Sequence, residues 1–161
     1  MSHAPSEAPE LRPATDDDIP AMVGLIRAAF AEYEGRLDPP SSAQNKTVEA
    51  TRAELADGGA FVVTCGGELA GCVFYHPHAG HMYLDRLSVL PAYRGLRLSR
   101  RLIAAVEDLA RASGLDRVRL SVRLALAGNR AYYERLGYAF HAYGTHAGYP
   151  EPTYVTLEKA L

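Results

Sequence analysis

The clearest chemical signal in this chain is a cluster of arginines that follows a proline turn. Arg94, Arg97, Arg100 and Arg101 fall at the start of a segment whose apolar residues recur at helical spacing. A helix start already carries about half a positive charge, so further cations are unfavourable there unless an anion lies between them. Backbone N–H groups and arginine side chains together bind phosphate groups. The pattern therefore indicates a phosphate site, and a solvated basic face is the alternative that charge alone leaves open.

The histidines and cysteines give a weaker signal. His76, His78 and His81 lie close together in and beside a predicted turn, but no cysteine or carboxylate completes a metal-ligand set, so no metal site is predicted. Cys65 and Cys72 lack the Cys-x-x-Cys spacing of redox motifs. They are interpreted as buried thiols in a reducing compartment.

Apolar periodicity and glycine or proline breaks predict the elements that must position these residues. Strands are predicted over residues 11–14, 60–64, 69–75, 82–90, 117–122, 138–143 and 153–157, and helices over residues 15–33, 46–56, 98–114 and 129–136. This order predicts an α/β (α+β) fold with a mixed, mostly antiparallel sheet of about seven strands, flanked by about four helices. The arginine cluster then lies between a strand and a helix.

Composition limits the classes of protein to which the chain can belong. Its 161 residues are 48% hydrophobic and 22% charged, which predicts one globular domain over residues 9–161 after a flexible tail over residues 1–8. With 17 basic and 19 acidic residues, the net charge of −2 argues against a nucleic-acid binder. No apolar run approaches the roughly 20 residues of a membrane span, and the amino terminus lacks a secretory signal. We therefore expect a cytoplasmic protein with no membrane and no nucleic-acid partner.

Two segments resemble one known family. Val89-Leu-Pro-Ala-Tyr-Arg-Gly95, followed by an amphipathic helix, resembles the acetyl-CoA-binding segment of the GNAT superfamily of N-acetyltransferases. Asn129-Arg-Ala-Tyr-Tyr-Glu-Arg-Leu-Gly-Tyr138 is similar to the family's Asn…Ala…Tyr-Glu-x-Leu-Gly-Phe stretch. The predicted order of elements also agrees with the GNAT fold, and the resemblance is sharpest over residues 82–138. The sequence departs from the family where Arg97 replaces the first loop glycine and Ser99 the second small residue.

The resemblance implies a fold, a co-substrate and a set of contacts. It implies a single GNAT-like domain that binds acetyl-CoA, with the loop amides and the following helix against the pyrophosphate and a strand against the pantetheine arm. The residues expected to bind the coenzyme are Leu87, Val89, Arg94, Gly95, Leu96, Arg97, Leu98, Ser99 and Asn129. For Asn129, capping of the short helix is the structural alternative.

The resemblance also implies an acyltransferase that acts on amino groups, with Tyr133 as the acid that protonates the leaving thiolate. Packing is the structural alternative for Tyr133, and Tyr132 is its neighbouring competitor. Asp85 is the first candidate for the base, because alternation along the strand would place it on the same face as Leu87 and Val89. A surface ion pair with the neighbouring arginine is the alternative for Asp85. Glu32 and Glu34 are further candidate bases.

The acceptor and the partners are less specific. The residues expected to line the acceptor pocket are Phe30, Tyr33, Glu34, Tyr75 and Tyr83, with His146 and Tyr149 nearby. Tyrosines and carboxylates together favour a cationic primary amine: a polyamine, an amino sugar, an amino acid, or a lysine or N-terminal amine of a peptide. A homodimer through the last strands is compatible with the sequence. An acyl-CoA-binding sensor without catalysis is the alternative function, and it is motivated by Arg97.

Overall fold

Seven strands and four α-helices form the fold. The computed structural model of the chain describes residues 8–161, so the predicted tail lies outside them apart from Ala8. The strands are β1 (Glu10–Pro13), β2 (Gly59–Cys65), β3 (Glu68–His78), β4 (His81–Val89), β5 (Arg117–Arg123), β6 (Ala139–Gly144) and β7 (Tyr154–Ala160). The helices are α1 (Ile19–Phe30), α2 (Val48–Leu55), α3 (Leu98–Ala112) and α4 (Ala127–Arg135). The predicted fold class is confirmed.

The sheet is mixed, and its one parallel contact is short. Its strands lie in the order β1-β2-β3-β4-β5-β7-β6. All neighbours are antiparallel except β4 and β5, whose pairing covers only Met82 with Val118 and Tyr83 with Arg119. Beyond these pairs the two strands separate. Their separation leaves a gap in the middle of the sheet and frees main-chain groups of β4 on that side.

Both faces of the sheet are covered, each by a different helix. On one face, α3 buries Leu102 and Val106 against sheet residues such as Leu157. On the other face, α1 buries Ile26 against sheet residues such as Phe74. The apolar residues of α3 recur every three or four positions, which gives the helix one buried stripe and one solvent-facing side. Helices α3 and α1 therefore pack on opposite faces of the sheet.

The expected alternation along β4 is wrong. Asp85 pairs with Phe74, whereas Ser88 pairs with Cys72, so β4 contains one extra residue here. This β-bulge includes Arg86, whose φ of 51° is left-handed. One extra residue reverses which side chains face which helix beyond that point.

The bulge moves Asp85 to the face opposite the one expected. Phe74, the partner of Asp85, belongs to the core under α1. Leu87 and Val89 instead pack against the core under α3. Asp85 therefore reaches the gap between β4 and β5 from the α1 side, while the two strand residues beyond the bulge face α3.

Several element ends differ from the predicted ones for local reasons. Strand β3 continues to His78, which pairs with His81, so the predicted turn over residues 76–80 shortens to two residues. Helix α1 ends at Phe30, and Ala31–Tyr33 forms a separate 3-10 turn. In residues 8–161 no group of three or more metal-ligating side chains occurs, and no helix is long and apolar enough to cross a membrane.

Candidate active site

A cavity of about 800 Å³ occupies the gap between β4 and β5. Its walls come from the end of α1 and the segment after it, the bulged half of β4, the loop before α3, helix α4, and residues around the start of β7. Thirteen of the predicted site residues line it: Phe30, Tyr33, Tyr83, Asp85, Leu87, Val89, Arg94, Gly95, Arg97, Leu98, Ser99, Asn129 and Tyr133. The topology thus brings together residues that are more than 100 positions apart in the sequence, from 30 to 133.

The loop before α3 presents a row of free backbone donors. None of the six N–H groups from Gly95 to Arg100 donates to another of the described residues, and Arg101 is the first to bond back, to the carbonyl of Arg97 at 3.3 Å. Gly95 and Arg97 both have positive φ, 85° and 59°. Arg97 therefore takes the left-handed conformation that a glycine at this position would adopt. Consecutive free amides at a helix start are what an oxyanion such as a phosphate requires.

Arg94 lines the cavity, but its guanidinium points towards α1. It forms an ion pair with Glu32 at 2.9 Å and donates to the carbonyl of Ala29 at 3.3 Å. Both charged side chains are roughly two-fifths exposed, at 43% and 42%. The pair ties the loop to the end of α1. It also occupies Glu32, one of the candidate bases.

Helix α4 packs a tyrosine pair beside the loop. The hydroxyls of Tyr132 and Ser99 are 2.6 Å apart, which joins α4 to the first turn of α3. Tyr133 lies edge-on to Tyr132 and Tyr138, with ring centroids 5.5 and 6.0 Å away. Its hydroxyl has no hydrogen-bond partner among residues 8–161, and burial raises the pKa of Tyr133 above its ordinary value. This phenol therefore keeps its proton at neutral pH and has it free to donate.

Asn129 does not cap α4. The helix begins at Ala127, its N-cap is Leu126, and the N–H of Asn129 donates to the Leu126 carbonyl at 3.0 Å. The capping alternative is therefore wrong. The Asn129 side chain lies at the cavity wall instead.

Asp85 and Tyr83 both line the cavity on the α1 side of the sheet. One Asp85 carboxylate oxygen accepts from the backbone N–H of Arg86 at 2.9 Å. No ion pair joins Asp85 to the Arg86 guanidinium within the described chain, so that alternative is wrong. The Tyr83 hydroxyl donates to Ser121 at 2.9 Å, and burial is the main cause that raises the pKa of Tyr83.

Three predicted site residues lie outside the cavity. Tyr75 packs on the α3 face against Phe61, with ring centroids 5.4 Å apart, because alternation along β3 places it opposite to Phe74. Glu34 is exposed, since the 3-10 turn has redirected the chain. Leu96 is 56% exposed at the tip of the loop. None of these three residues contributes to the cavity wall.

Of the two loop residues expected near the acceptor, only one reaches the cavity. His146 lines it and bonds to Thr153. Tyr149 turns away and donates its hydroxyl to Asp38.

Sequence reasoning missed two arginines in the cavity wall. Arg86 lies in the bulge and donates to the Ser42 hydroxyl. Arg123, at the end of β5, donates to the carbonyls of Pro39 and Pro40 at 2.7 and 3.4 Å. Burial lowers the pKa of Arg123 and the positive charge of Arg86 adds to this effect, while Tyr149 and Asp38 oppose it. For Arg86 the available signal was an arginine in the middle of a mostly apolar predicted strand, whereas Arg123 lies just beyond the end of the predicted strand over residues 117–122.

Comparison with known proteins identifies the family. A family model described as the Acetyltransferase (GNAT) family matches residues 22–138. The chain belongs to the GNAT family of acetyltransferases. A GNAT relative named IAA acetyltransferase, from Azospirillum brasilense, is 31% identical over 147 residues, which is 88% of this chain and 91% of that protein.

Solved GNAT structures agree with this fold. The PaiA N-acetyltransferase of Thermoplasma acidophilum, in complex with coenzyme A, superposes with a TM-score of 0.76 at 17% identity, over 96% of this chain and 99% of the other. A GNAT acetyltransferase of Elizabethkingia anophelis with acetyl-CoA bound gives a TM-score of 0.73 at 16% identity, over the same 96% and 99%. Family membership together with these coenzyme-bound neighbours supports acetyl-CoA as the co-substrate.

Proposed function

We propose that this protein is an N-acetyltransferase that moves an acetyl group from acetyl-CoA to a primary amine by direct attack, through a tetrahedral intermediate. One observation carries the proposal. The unbonded phenol of Tyr133, the carboxylate of Asp85 and four residues with free amides (Gly95, Arg97, Leu98 and Ser99) all border one cavity. A donor site for an anion, an acid and a base are the groups that acyl transfer to an amine requires.

The coenzyme would lie along the loop and the free side of β4. The amides from Gly95 to Arg100 would hold the pyrophosphate, and Arg97 adds an exposed guanidinium at the same place. Main-chain groups of Leu87 and Val89 would bind the pantetheine arm, because β4 no longer pairs with β5 beyond Tyr83. This arrangement would direct the thioester towards α4.

Tyr133 would act as the acid. A thiol has an ordinary pKa of about 8.5, so the leaving thiolate is stabilised by a proton donor that stays protonated at neutral pH. Burial of Tyr133 raises its pKa and so meets that condition. Its neighbour Tyr132 is engaged with Ser99 and is the less suitable donor.

Asp85 would receive the proton of the amine, directly or through a water molecule. An alkylammonium has a pKa of about 10.4 and must lose a proton before it can attack. Of the other candidate bases, Glu32 is paired with Arg94 and Glu34 lies outside the cavity. Asp85 is thus the carboxylate best placed to accept the proton.

The experiment is a thiol-release assay of Tyr133→Phe with acetyl-CoA and a panel of amines. We expect kcat to fall by about 10²-fold or more. The dissociation constant of CoA should change little, which is the pattern of an interaction made mainly in the transition state. Tyr132→Phe is the matched control, because it removes a hydroxyl one position away and should affect coenzyme affinity more than kcat. Unchanged turnover in Tyr133→Phe would remove this residue from the mechanism.

No observation favours the sensor alternative over catalysis. That alternative was motivated by Arg97 in place of a loop glycine. Since Arg97 adopts the left-handed conformation of a glycine, the loop amides keep their free orientation. Binding of acetyl-CoA without turnover of any amine would nevertheless support the sensor.

A further inference from the structure

The acceptor end of the cavity carries two arginines that form no ion pair with a carboxylate among residues 8–161. Arg86 and Arg123 both line it, together with Ser42 and His146. Among residues 8–161, seven of the fifteen arginines have a carboxylate within 4.0 Å, and Arg86 and Arg123 are two of the eight that do not. Their described partners are uncharged oxygens, the Ser42 hydroxyl and the carbonyls of Pro39 and Pro40.

The nearby carboxylates accept hydrogen bonds from groups other than these two arginines. Asp85 accepts from a backbone N–H, and Asp38 accepts from the Tyr149 hydroxyl. The imidazole of His146 cannot supply a negative charge. Burial lowers the pKa of His146 and the charge of Arg123 lowers it further, so its ring stays neutral at pH 7. Within residues 8–161 neither guanidinium therefore has a carboxylate in direct contact, although the charge of Asp38 acts on Arg123 from a greater distance.

Arg86 is also incompletely bonded. Among residues 8–161, its buried Nε has no hydrogen-bond partner, and its side chain makes a single hydrogen bond, to Ser42. A buried donor without a partner is unfavourable, and so is a left-handed backbone at a non-glycine residue. Solvation of a surface charge does not explain why the fold holds the Arg86 guanidinium in this unfavourable position. Binding of an anionic group of a ligand would explain it.

We infer that the acceptor amine also carries a carboxylate, which Arg86 and Arg123 bind while the amine lies near Asp85. The acceptor class is then an amino acid or a closely similar zwitterion. Guanidinium side chains match a planar carboxylate through paired hydrogen bonds. This inference rests on the proposed N-acetyltransferase function and narrows the acceptors that the sequence left open.

The test compares matched acceptors: a set of α-amino acids, their carboxamides and the corresponding decarboxylated amines. With acetyl-CoA saturating, we expect the wild-type protein to have kcat/KM at least about tenfold higher for an amino acid than for its carboxamide. In Arg86→Met this ratio should fall close to one, mainly through KM. Arg123→Lys keeps a positive charge beside the carbonyls of Pro39 and Pro40, so it should retain part of the preference for the amino acid over its carboxamide.

Arg111→Met is the matched control. Arg111 is an exposed arginine at the far end of α3, outside the cavity, so the preference should be unchanged in this variant. Acetylation of carboxamides as efficient as that of the amino acids would overturn the carboxylate inference and leave the transferase proposal intact.

A binding experiment separates the two proposals if no amine is acetylated. In that case the transferase proposal fails. Calorimetric titration of amino acids and carboxamides into the protein–CoA complex then decides the inference. Tighter binding of the acids, lost in Arg86→Met, would support it, and equal or absent binding would overturn it.

Discussion

The loop before α3 allows the backbone and side-chain roles of one residue to be measured separately. Arg97 has a φ of 59°, in the left-handed region. That region costs a non-glycine residue about 1–2 kcal/mol, while glycine enters it freely but loses about 0.5–1 kcal/mol more on folding. Arg97→Gly should therefore be more stable than Arg97→Ala by about 1 kcal/mol. For a chain of this length that difference corresponds to about 2–4 °C in Tm.

The affinity for CoA measures the contribution of the Arg97 side chain. Both variants remove an exposed guanidinium beside the loop amides, so we expect both to weaken CoA binding by about fivefold, or about 1 kcal/mol. Thermal unfolding and calorimetry with CoA measure the two effects independently. Gly95→Ala is the converse control: φ is 85° and a Cβ there meets no atom within 4 Å, so the added methyl group acts through the backbone alone. It should destabilise by a similar amount.

Two outcomes would refute this reasoning. Equal stability of Arg97→Gly and Arg97→Ala would mean that the backbone at this position is not strained in solution. CoA binding by Arg97→Gly as tight as that of the wild type would mean that the guanidinium makes no contact with the coenzyme. The first result concerns the loop conformation, and the second concerns the phosphate assignment.

Further predictions concern the proposed base and the acid stability of the fold. Asp85→Asn should lower kcat/KM at neutral pH by about 10²-fold. The deficit relative to wild type should shrink as pH rises towards the amine pKa of about 10.4, because the amine then loses its proton without a base. A deficit in kcat/KM that does not depend on pH would contradict a role of Asp85 as base. Hydrogen bonds from Arg12 lower the pKa of Asp18 to about 2, so this carboxylate stabilises the fold fully above its unfolded pKa of about 3.9 and loses that contribution as pH falls through 2. Asp18→Asn should thus cost about 1–2 kcal/mol at pH 6, measured by urea unfolding, and almost nothing near pH 1; an equal cost at both pH values would mean that the ion pair is not its source.

The sequence was most informative where local chemistry fixes local structure. Helix α3 was predicted from its apolar stripe and its glycine stop, and its start is set by the proline turn. The loop before α3, whose amides are free, was predicted as a phosphate site from the arginine cluster and from the family resemblance. The position of Tyr133 in the cavity wall follows from α4, whose glycine-terminated motif was also visible. In each case a contiguous stretch of chain carries the signal.

The bulge in β4 is the feature that sequence periodicity could not supply. Asp85, Leu87 and Val89 have the odd-number spacing of one strand face, yet the extra residue places Asp85 on the α1 side. Nothing in the local composition marks a bulge, because it contains no glycine and the strain falls on Arg86. Only the pairing with β3 reveals it.

The acceptor end is assembled from segments that are distant in sequence, and this changes its electrostatics. A partly acidic cleft lined by tyrosines was expected; tyrosines do line the cavity, but Glu34 lies outside it and Glu32 is paired with Arg94. The bulge and the end of β5 instead contribute two arginines to the wall. The charge of a pocket is thus set by which strand ends meet at a break in the sheet. The same bulge that places Asp85 in the cavity wall also places a guanidinium beside it, so under the proposed function one irregularity would position the amine and the anion of the acceptor together.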